Sequence, residues 1–338
     1  MTPLVVVDAD VLGRRRTGDE TYVAELLREA ARLDHGLELA AITRHPSLVP
    51  VGIEPVRLPA ASQIVRMAVS VPRLLRRLGP QLAHFVHALP LSCPCPAVLT
   101  VQDLSFELEP GLMSRRDRLV FRTAVPRSVR RAARILTGTE RTKQDLVRVY
   151  GIDPGRVEVI PYGVDGVFRP GPDEPRGFLL AVGAVEARKD PLAALEAAER
   201  VGLPLVVAGP VRDDRIAGEL RGRGARLVGY VRREELAELY REAACLVFPS
   251  RFEGFGLPVL EAMASGTPVV ARDDPAVREV AGDAAVLVGP GGLADGIERA
   301  LEVRARLVAA GLERASAFSW REVAWRTVAV YRELLGLQ

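Results

Sequence analysis

Short runs of Val, Leu and Ile alternate with longer amphipathic segments from one end of this chain to the other. That alternation restricts the fold more than any other feature. A strand that is apolar on both faces must be covered on both, the condition of a parallel sheet built from βα units. Strands are expected at 4–8, 39–43, 82–86, 98–101, 135–137 and 157–160, with helical patterns between them. From 165 to 177 the periodicity stops, and Val167-Phe-Arg-Pro-Gly-Pro-Asp-Glu-Pro-Arg-Gly177 is dense in residues that punctuate structure, so the linker is expected there. A second series follows at 178–182, 205–208, 226–228, 246–248, 268–270 and 285–288. The fold class is therefore α/β, with two doubly wound, Rossmann-like halves, and 338 residues suffice for two ordinary cores with a cleft between them. The last stretch, 318–335, has apolar residues at helical spacing together with Trp320 and Trp325, and is expected to be a well-packed closing helix.

Charge and cysteine content narrow the class. Forty-six Lys and Arg against 43 Asp and Glu leave a net charge of +3, too balanced for a surface devoted to nucleic acid. Lys143 and Lys189 are the only lysines in a basic set otherwise made of Arg. Cys93, Cys95 and Cys245 are odd in number, and Cys93-Pro-Cys95 lacks the second pair that a structural zinc site needs, so a reduced, cytoplasmic protein is expected. The first residues lack the basic region of a signal peptide, and no run approaches the ~20 apolar residues of a membrane span.

The most informative segment is Pro249-Ser-Arg-Phe-Glu-Gly-Phe-Gly-Leu-Pro-Val-Leu-Glu261, between two expected strands. Glu253 lies in a glycine-bearing turn, Pro258 suits the start of a helix, and Glu261 falls about one turn inside it. Backbone N–H groups at Gly256 and Leu257, with the positive end of the helix dipole, suit a diphosphate. Glu253 is then placed to accept from sugar hydroxyls and Glu261 from ribose hydroxyls. An ordinary βα loop with an acidic helix start accounts for the same pattern, and spacing alone leaves the two readings balanced.

Glu253-Gly-Phe-Gly-Leu-Pro-Val-Leu-Glu261 resembles the E-x7-E motif of the family 4 retaining glycosyltransferases, which have the two-domain GT-B fold. The resemblance implies that Glu253 contacts the donor sugar, that Glu261 contacts the ribose, and that Phe255, Gly256 and Leu257 line the donor site. Leu180-Ala-Val-Gly-Ala-Val-Glu-Ala-Arg-Lys-Asp-Pro191 is similar to the family segment whose basic residues hold the donor phosphates, which assigns that role to Gly183, Arg188 and Lys189. By themselves, adjacent cations are more often a solvated pair. Some members carry an Arg directly after the glycine, where this chain has Ala184.

In the first half, Thr17-Gly-Asp-Glu-Thr reads as a glycine turn opening a helix and is similar to the family loop that carries Gly18 toward donor phosphate and acceptor. Arg14, Arg15 and Arg16 before it either meet an acidic acceptor or are solvated. Thr100-Val-Gln-Asp-Leu resembles the family's Thr-Val-His-Asp-Leu, which makes Gln102 and Asp103 donor-binding candidates, with an amide where the family has a titratable ring. Tyr230 and Val231 resemble the family's base-binding loop. His84 and His87 are expected to be structural or cleft-lining. Residues 64–78, with Arg66, Arg73, Arg76 and Arg77, read as a helix packed on its own sheet, a basic helix on an anionic membrane being the alternative.

Together the resemblance implies an N-terminal acceptor-side domain at 1–165, a nucleotide-sugar domain at 166–318, and a helix at 319–338 closing back on the first. It implies retaining, metal-independent transfer of a hexosyl group from a nucleotide-diphosphate sugar to a hydroxyl of a glycan, a lipid-linked acceptor or a small molecule. No cofactor and no nucleic acid are expected, and peripheral contact with membrane or lipid-linked acceptor is compatible with it. The alternatives are a nucleotide-sugar epimerase on the same fold and an inactive sugar-nucleotide-binding subunit.

Overall fold

The computed structural model describes residues 2–14, 17–59, 62–109, 111, 115–171 and 177–337. The chain divides into two compact units, Met1–Gly163 with Trp320–Gln338, and Val164–Ser319.

The sheet of the first unit contains β1 (Leu4–Asp8), β2 (Glu38–Thr43), β3 (Glu54–Arg57), β4 (Leu82–Val86), β5 (Ala97–Thr100), β6 (Arg134–Thr137) and β7 (Val157–Val159). Their order is β3-β2-β1-β4-β5-β6-β7, with every neighbouring pair parallel. The second unit has β8 (Leu179–Val182), β9 (Leu205–Ala208), β10 (Arg226–Gly229), β11 (Cys245–Phe248), β12 (Val269–Arg272) and β13 (Val286–Val288), ordered β10-β9-β8-β11-β12-β13 and again parallel. Each sheet reverses its winding once, at β1/β4 in the first and β8/β11 in the second, and ligand crevices form at the carboxyl ends of such strand pairs.

Central strands are buried over nearly all their length, as in Val5, Val6 and Val7 of β1 and Leu246, Val247 and Phe248 of β11. Removing one such aliphatic side chain costs about 2–5 kcal/mol. β3 is the strand that the pattern did not predict. It lies at the sheet edge and carries Pro55, which no central ladder tolerates because it cannot donate a hydrogen bond.

The helix Trp320–Leu334 returns to the first unit and packs on the helix Thr17–Ala30. A buried polar chain fixes it: Tyr331 Oη lies 2.5 Å from His84 Nδ1, His84 Nε2 is 2.7 Å from Thr100 Oγ1, and Thr100 is 2.9 Å from the Tyr22 hydroxyl. Burial pushes the His84 imidazole down to about 3, so it stays neutral. Trp320 stacks on Tyr162, with ring centroids 6.0 Å apart. Of the two tryptophans expected to pack, only Trp320 does; Trp325 is 58% exposed, because it falls on the outer face of the helix.

Candidate active site

In the second unit the polypeptide leaves β8 through Gly183, whose φ of +147° is open to glycine. Gly209, after β9, comes so close that a Cβ there would lie 1.9 Å from the Gly183 carbonyl oxygen. The Gly183 N–H donates to Ala208 at 2.9 Å and the Gly209 N–H to Gly229 at 2.8 Å, locking the ends of β8, β9 and β10 side by side. A Cβ on Gly183 would meet the Lys189 side chain at 3.4 Å. This glycine therefore leaves room for the lysine to fold back over its turn.

Lys189 does so. Its ammonium pairs with Glu253 Oε1 and lies 5.5 Å from the centre of the Phe248 ring. Burial lowers its pKa and Arg188 adds to this, while Glu253 opposes both. Arg188 donates to the Phe252 carbonyl at 3.1 Å and stands 3.9 Å from Glu253 Oε2. The solvated-pair reading of these two cations does not hold: the turns after β8 and β11 bring them to Glu253, which is only 7% exposed.

Those turns are pinned together by a carboxylate that the sequence did not single out. Asp190, in a left-handed conformation at φ +49°, lies 2.9 Å from both Arg251 and Arg272. The Arg251 N–H also donates to the Arg188 carbonyl at 2.9 Å. A non-glycine residue in that region costs about 1 kcal/mol or more and persists only where its surroundings hold it; two guanidinium partners do so here.

The helix Leu257–Ala264 begins at Gly256, φ +101°, with Pro258 in its first turn and no capping side chain. Its amino end is thus built from backbone N–H groups, next to the turn bearing Glu253 and Phe255. One turn on, Glu261 accepts a 2.9 Å hydrogen bond from the Tyr240 hydroxyl. Burial pushes its carboxyl up to about 7, against the Tyr240 hydrogen bond and the charge of Arg233, with Asp165 pushing the same way as burial. Arg233 is itself 2.6 Å from Asp165. Tyr230, 45% exposed, and Val231 follow β10 at the same carboxyl edge.

In the first unit, Gly18 lies within the first turn of the helix Thr17–Ala30, so the expected glycine turn is corrected: Gly13, φ +76°, makes the turn, and its N–H donates to Glu20 at 2.7 Å. A Cβ on Gly18 would be 3.5 Å from Gln102 Oε1, which places this amide beside the helix start. The buried Gln102 Nε2 has no hydrogen-bond partner. Asp103 accepts from the Ser105 N–H at 2.8 Å, closing a turn just ahead of the short helix Ser105–Leu108. Arg14 pairs with Asp10; Arg15 and Arg16 lie outside the described residues, as does part of the expected linker. His84 is a core residue. His87 adopts φ +67° and lies 3.1 Å from Asp19, a pair that spacing did not reveal.

Two family models match this chain, "Glycosyltransferase Family 4" over residues 16–166 and "Glycosyl transferases group 1" over 167–313. The O-antigen chain mannosyltransferase B of Escherichia coli is 29% identical over 268 residues, 70% of each chain. A D-inositol 3-phosphate glycosyltransferase of Nocardioides sp. is 34% identical over 249 residues, covering 60% of this chain and 54% of that protein. Among solved structures, sucrose-phosphate synthase of Thermosynechococcus elongatus superposes with a TM-score of 0.83 at 22% identity over 99% of both chains. Anabaena HepE, solved in complex with UDP-glucose, does so with 0.76 at 13% identity over 98% of this chain and 99% of that one. The two parallel-sheet units are those of the GT-B fold, and this chain is a glycosyltransferase belonging to group 1, family 4.

Proposed function

We propose that the protein transfers a hexosyl group from a nucleotide-diphosphate sugar to an acceptor hydroxyl, with retention at the anomeric carbon and without a metal. The observation that carries this reading is the cluster of Lys189, Arg188 and Glu253 at the winding reversal of the second sheet, next to the uncapped helix start at Gly256.

Glycosyl transfer separates charge, with cationic character growing at the sugar while the departing diphosphate becomes more anionic. Arg188, Lys189 and the N–H groups at Gly256 and Leu257 supply positive potential for the diphosphate. Glu253 orients the sugar hydroxyls and favours the growing positive charge. Lys189 pairs with Glu253; a diphosphate competes for the ammonium and frees the carboxylate for the sugar. Glu261 takes the ribose, Tyr230 and Val231 the base, and Gly183 the close approach to the phosphates. Gly18, Gln102 and Asp103 are assigned to the sugar and acceptor, a role that the unpartnered Gln102 amide supports.

The Escherichia coli relative is named for mannose transfer and the Anabaena neighbour binds UDP-glucose, so GDP-mannose and UDP-glucose lead the donor screen. We assign the protein to a reducing, cytoplasmic compartment, supported by the free Cys93, Cys95 and Cys245. The test is a thermal-shift screen of nucleoside diphosphates, then transfer assays in chelator with NMR of the product anomeric proton. The expected result is a selective rise in Tm and a product that keeps the donor's anomeric configuration. An inverted product, loss of transfer on chelation, donor epimerisation without acceptor, or donor binding without transfer to any acceptor overturns the reading.

A further inference from the structure

Residues 64–78 were expected to pack on the sheet, and half of them do. In the helix Val71–Leu78, Val71, Leu74 and Leu75 are buried while Arg73, Arg76 and Arg77 are exposed. The preceding stretch, an α-helical turn at Gln63–Val65 and a π-helical turn at Arg66–Ser70, is turned the other way. Its buried residue is Arg66, which pairs with Asp8 and lies 3.0 Å from Asp10. With the charge inside, the aliphatic side chains are left outside: Ile64 is 74% exposed, Val65 49% and Val69 37%. The wide turn sets Val69 in line with Ile64 at a spacing of five residues, and wide turns of this kind recur at functional sites.

A fourth aliphatic joins them from the loop after β4. Leu91, 56% exposed, donates its N–H to the Met67 carbonyl at 3.0 Å. Its own carbonyl accepts from Arg127 at 2.8 Å and Arg131 at 3.2 Å, both on the helix Arg115–Arg131. One buried ion pair and two arginine clamps thus hold an outward-facing aliphatic patch on fixed backbone. Single exposed aliphatics are ordinary, whereas contiguous ones mark contact surfaces.

The surrounding charge identifies the contact. No Asp or Glu occurs between positions 55 and 102 or between 118 and 139, and these stretches contain five and six arginines, in a chain whose net charge is only +3. Arg73 stands one helical turn beyond Val69 and, like Arg127 and Arg131, is exposed. We propose that this face docks the protein on an anionic lipid bilayer, with Ile64, Val65, Val69 and Leu91 among the headgroups and Arg73, Arg127 and Arg131 at the level of the phosphates. A few aliphatics hold a protein at a membrane only weakly, and a basic rim supplies the second attraction that stable, reversible binding needs. None of the described helices is long and apolar enough to cross a membrane, so the contact is peripheral. The inference stands apart from the donor chemistry, and its failure leaves that chemistry intact.

The test is flotation of the full-length chain with vesicles of phosphatidylcholine, alone or with about 30 mol% phosphatidylglycerol, at low salt and at about 0.5 M NaCl, where screening is near complete. The expected result is binding to the anionic vesicles only, reversed by salt. Ile64→Asp with Leu91→Asp should reduce it at least tenfold, and Arg73→Ala roughly fivefold, the equivalent of about 1 kcal/mol for one surface arginine. Thermal melts of these variants should match the parent, since each change is on an exposed side chain. No binding to anionic vesicles at low salt, equal binding to neutral ones, or undiminished binding by the Ile64→Asp/Leu91→Asp variant overturns the proposal. So does self-association that this variant abolishes while vesicles are ignored, which would assign the face to a second copy.

Discussion

Replacing Glu261 by Gln should make the folded protein more stable at alkaline pH and weaken its hold on the nucleotide. The carboxyl is pushed up from 4.5 to about 7, chiefly by burial on the helix Leu257–Ala264. A carboxyl with a raised native pKa holds its proton more tightly in the folded state than in the unfolded chain. Its contribution to stability is therefore complete below about pH 4.5 and is lost as pH rises through about 7. A gap of about 2.5 pH units at 1.36 kcal/mol each gives a penalty of roughly 3 kcal/mol above pH 8. Glutamine is uncharged at every pH and keeps an oxygen for the Tyr240 hydroxyl. Urea unfolding followed by circular dichroism should show the variant more stable by roughly 2–3 kcal/mol near pH 8.5 and equal to the parent near pH 4.5. Its nucleoside-diphosphate-induced rise in Tm should be smaller, because ribose hydroxyls donate more strongly to a carboxylate than to an amide. Equal stability near pH 8.5, or a difference that persists near pH 4.5, would refute the burial argument. On the proposed ribose role, ligand binding offsets the cost in stability of that carboxylate.

Lys189→Ala should lower kcat by at least ~100-fold, the scale of losing one group that stabilises charge in the transition state, and should lower Tm by leaving Glu253 buried beside Arg188 alone; steady-state rates with calorimetry check both. Gly209→Ala should destabilise the second unit by about 3 kcal/mol or more and abolish donor binding, since the new Cβ would strike the Gly183 carbonyl at 1.9 Å; denaturant melts and thermal shift read the two effects. Iodoacetamide near neutral pH should label Cys93 well before Cys245: the hydrogen bond from Cys95 holds the Cys93 thiol down at about 7, while burial pushes Cys245 up to about 12, and peptide mass spectrometry follows the order. Donor KM should rise as pH falls through about 7, where Glu261 becomes protonated, and the Glu261→Gln variant should lose that dependence, which initial-rate profiles test.

The strands were legible because their Val, Leu and Ile runs are buried on both faces. β3 was not, since Glu54-Pro-Val-Arg57 at a sheet edge has neither such a run nor a free choice of residues. Spacing carried the positions of Glu253 and Glu261, which belong to one turn and the helix that follows it. It could not show that Lys189 meets Glu253 across 64 positions, that Asp190 gathers Arg251 and Arg272, or that Tyr240 binds Glu261. Those contacts arise from the strand order, which sets the turns after β8 and β11 next to each other. The pattern over 64–78 misled for a related reason: the wide turn at Arg66–Ser70 and the pull of Asp8 reverse which face is buried.

The return of the helix Trp320–Leu334 to the first unit bears on the order in which the polypeptide matures on the ribosome. Every residue of Val164–Ser319 is synthesised before Tyr331 exists to meet His84, so the first unit waits for the last stretch of the polypeptide before it can close its core. Until then the apolar face of the helix Thr17–Ala30 and the polar chain from Tyr22 to His84 stay wet. A polypeptide cut before residue 320 keeps all of Val164–Ser319 but leaves Met1–Gly163 without that helix, so such a truncation exposes the core of the first unit and spares the second.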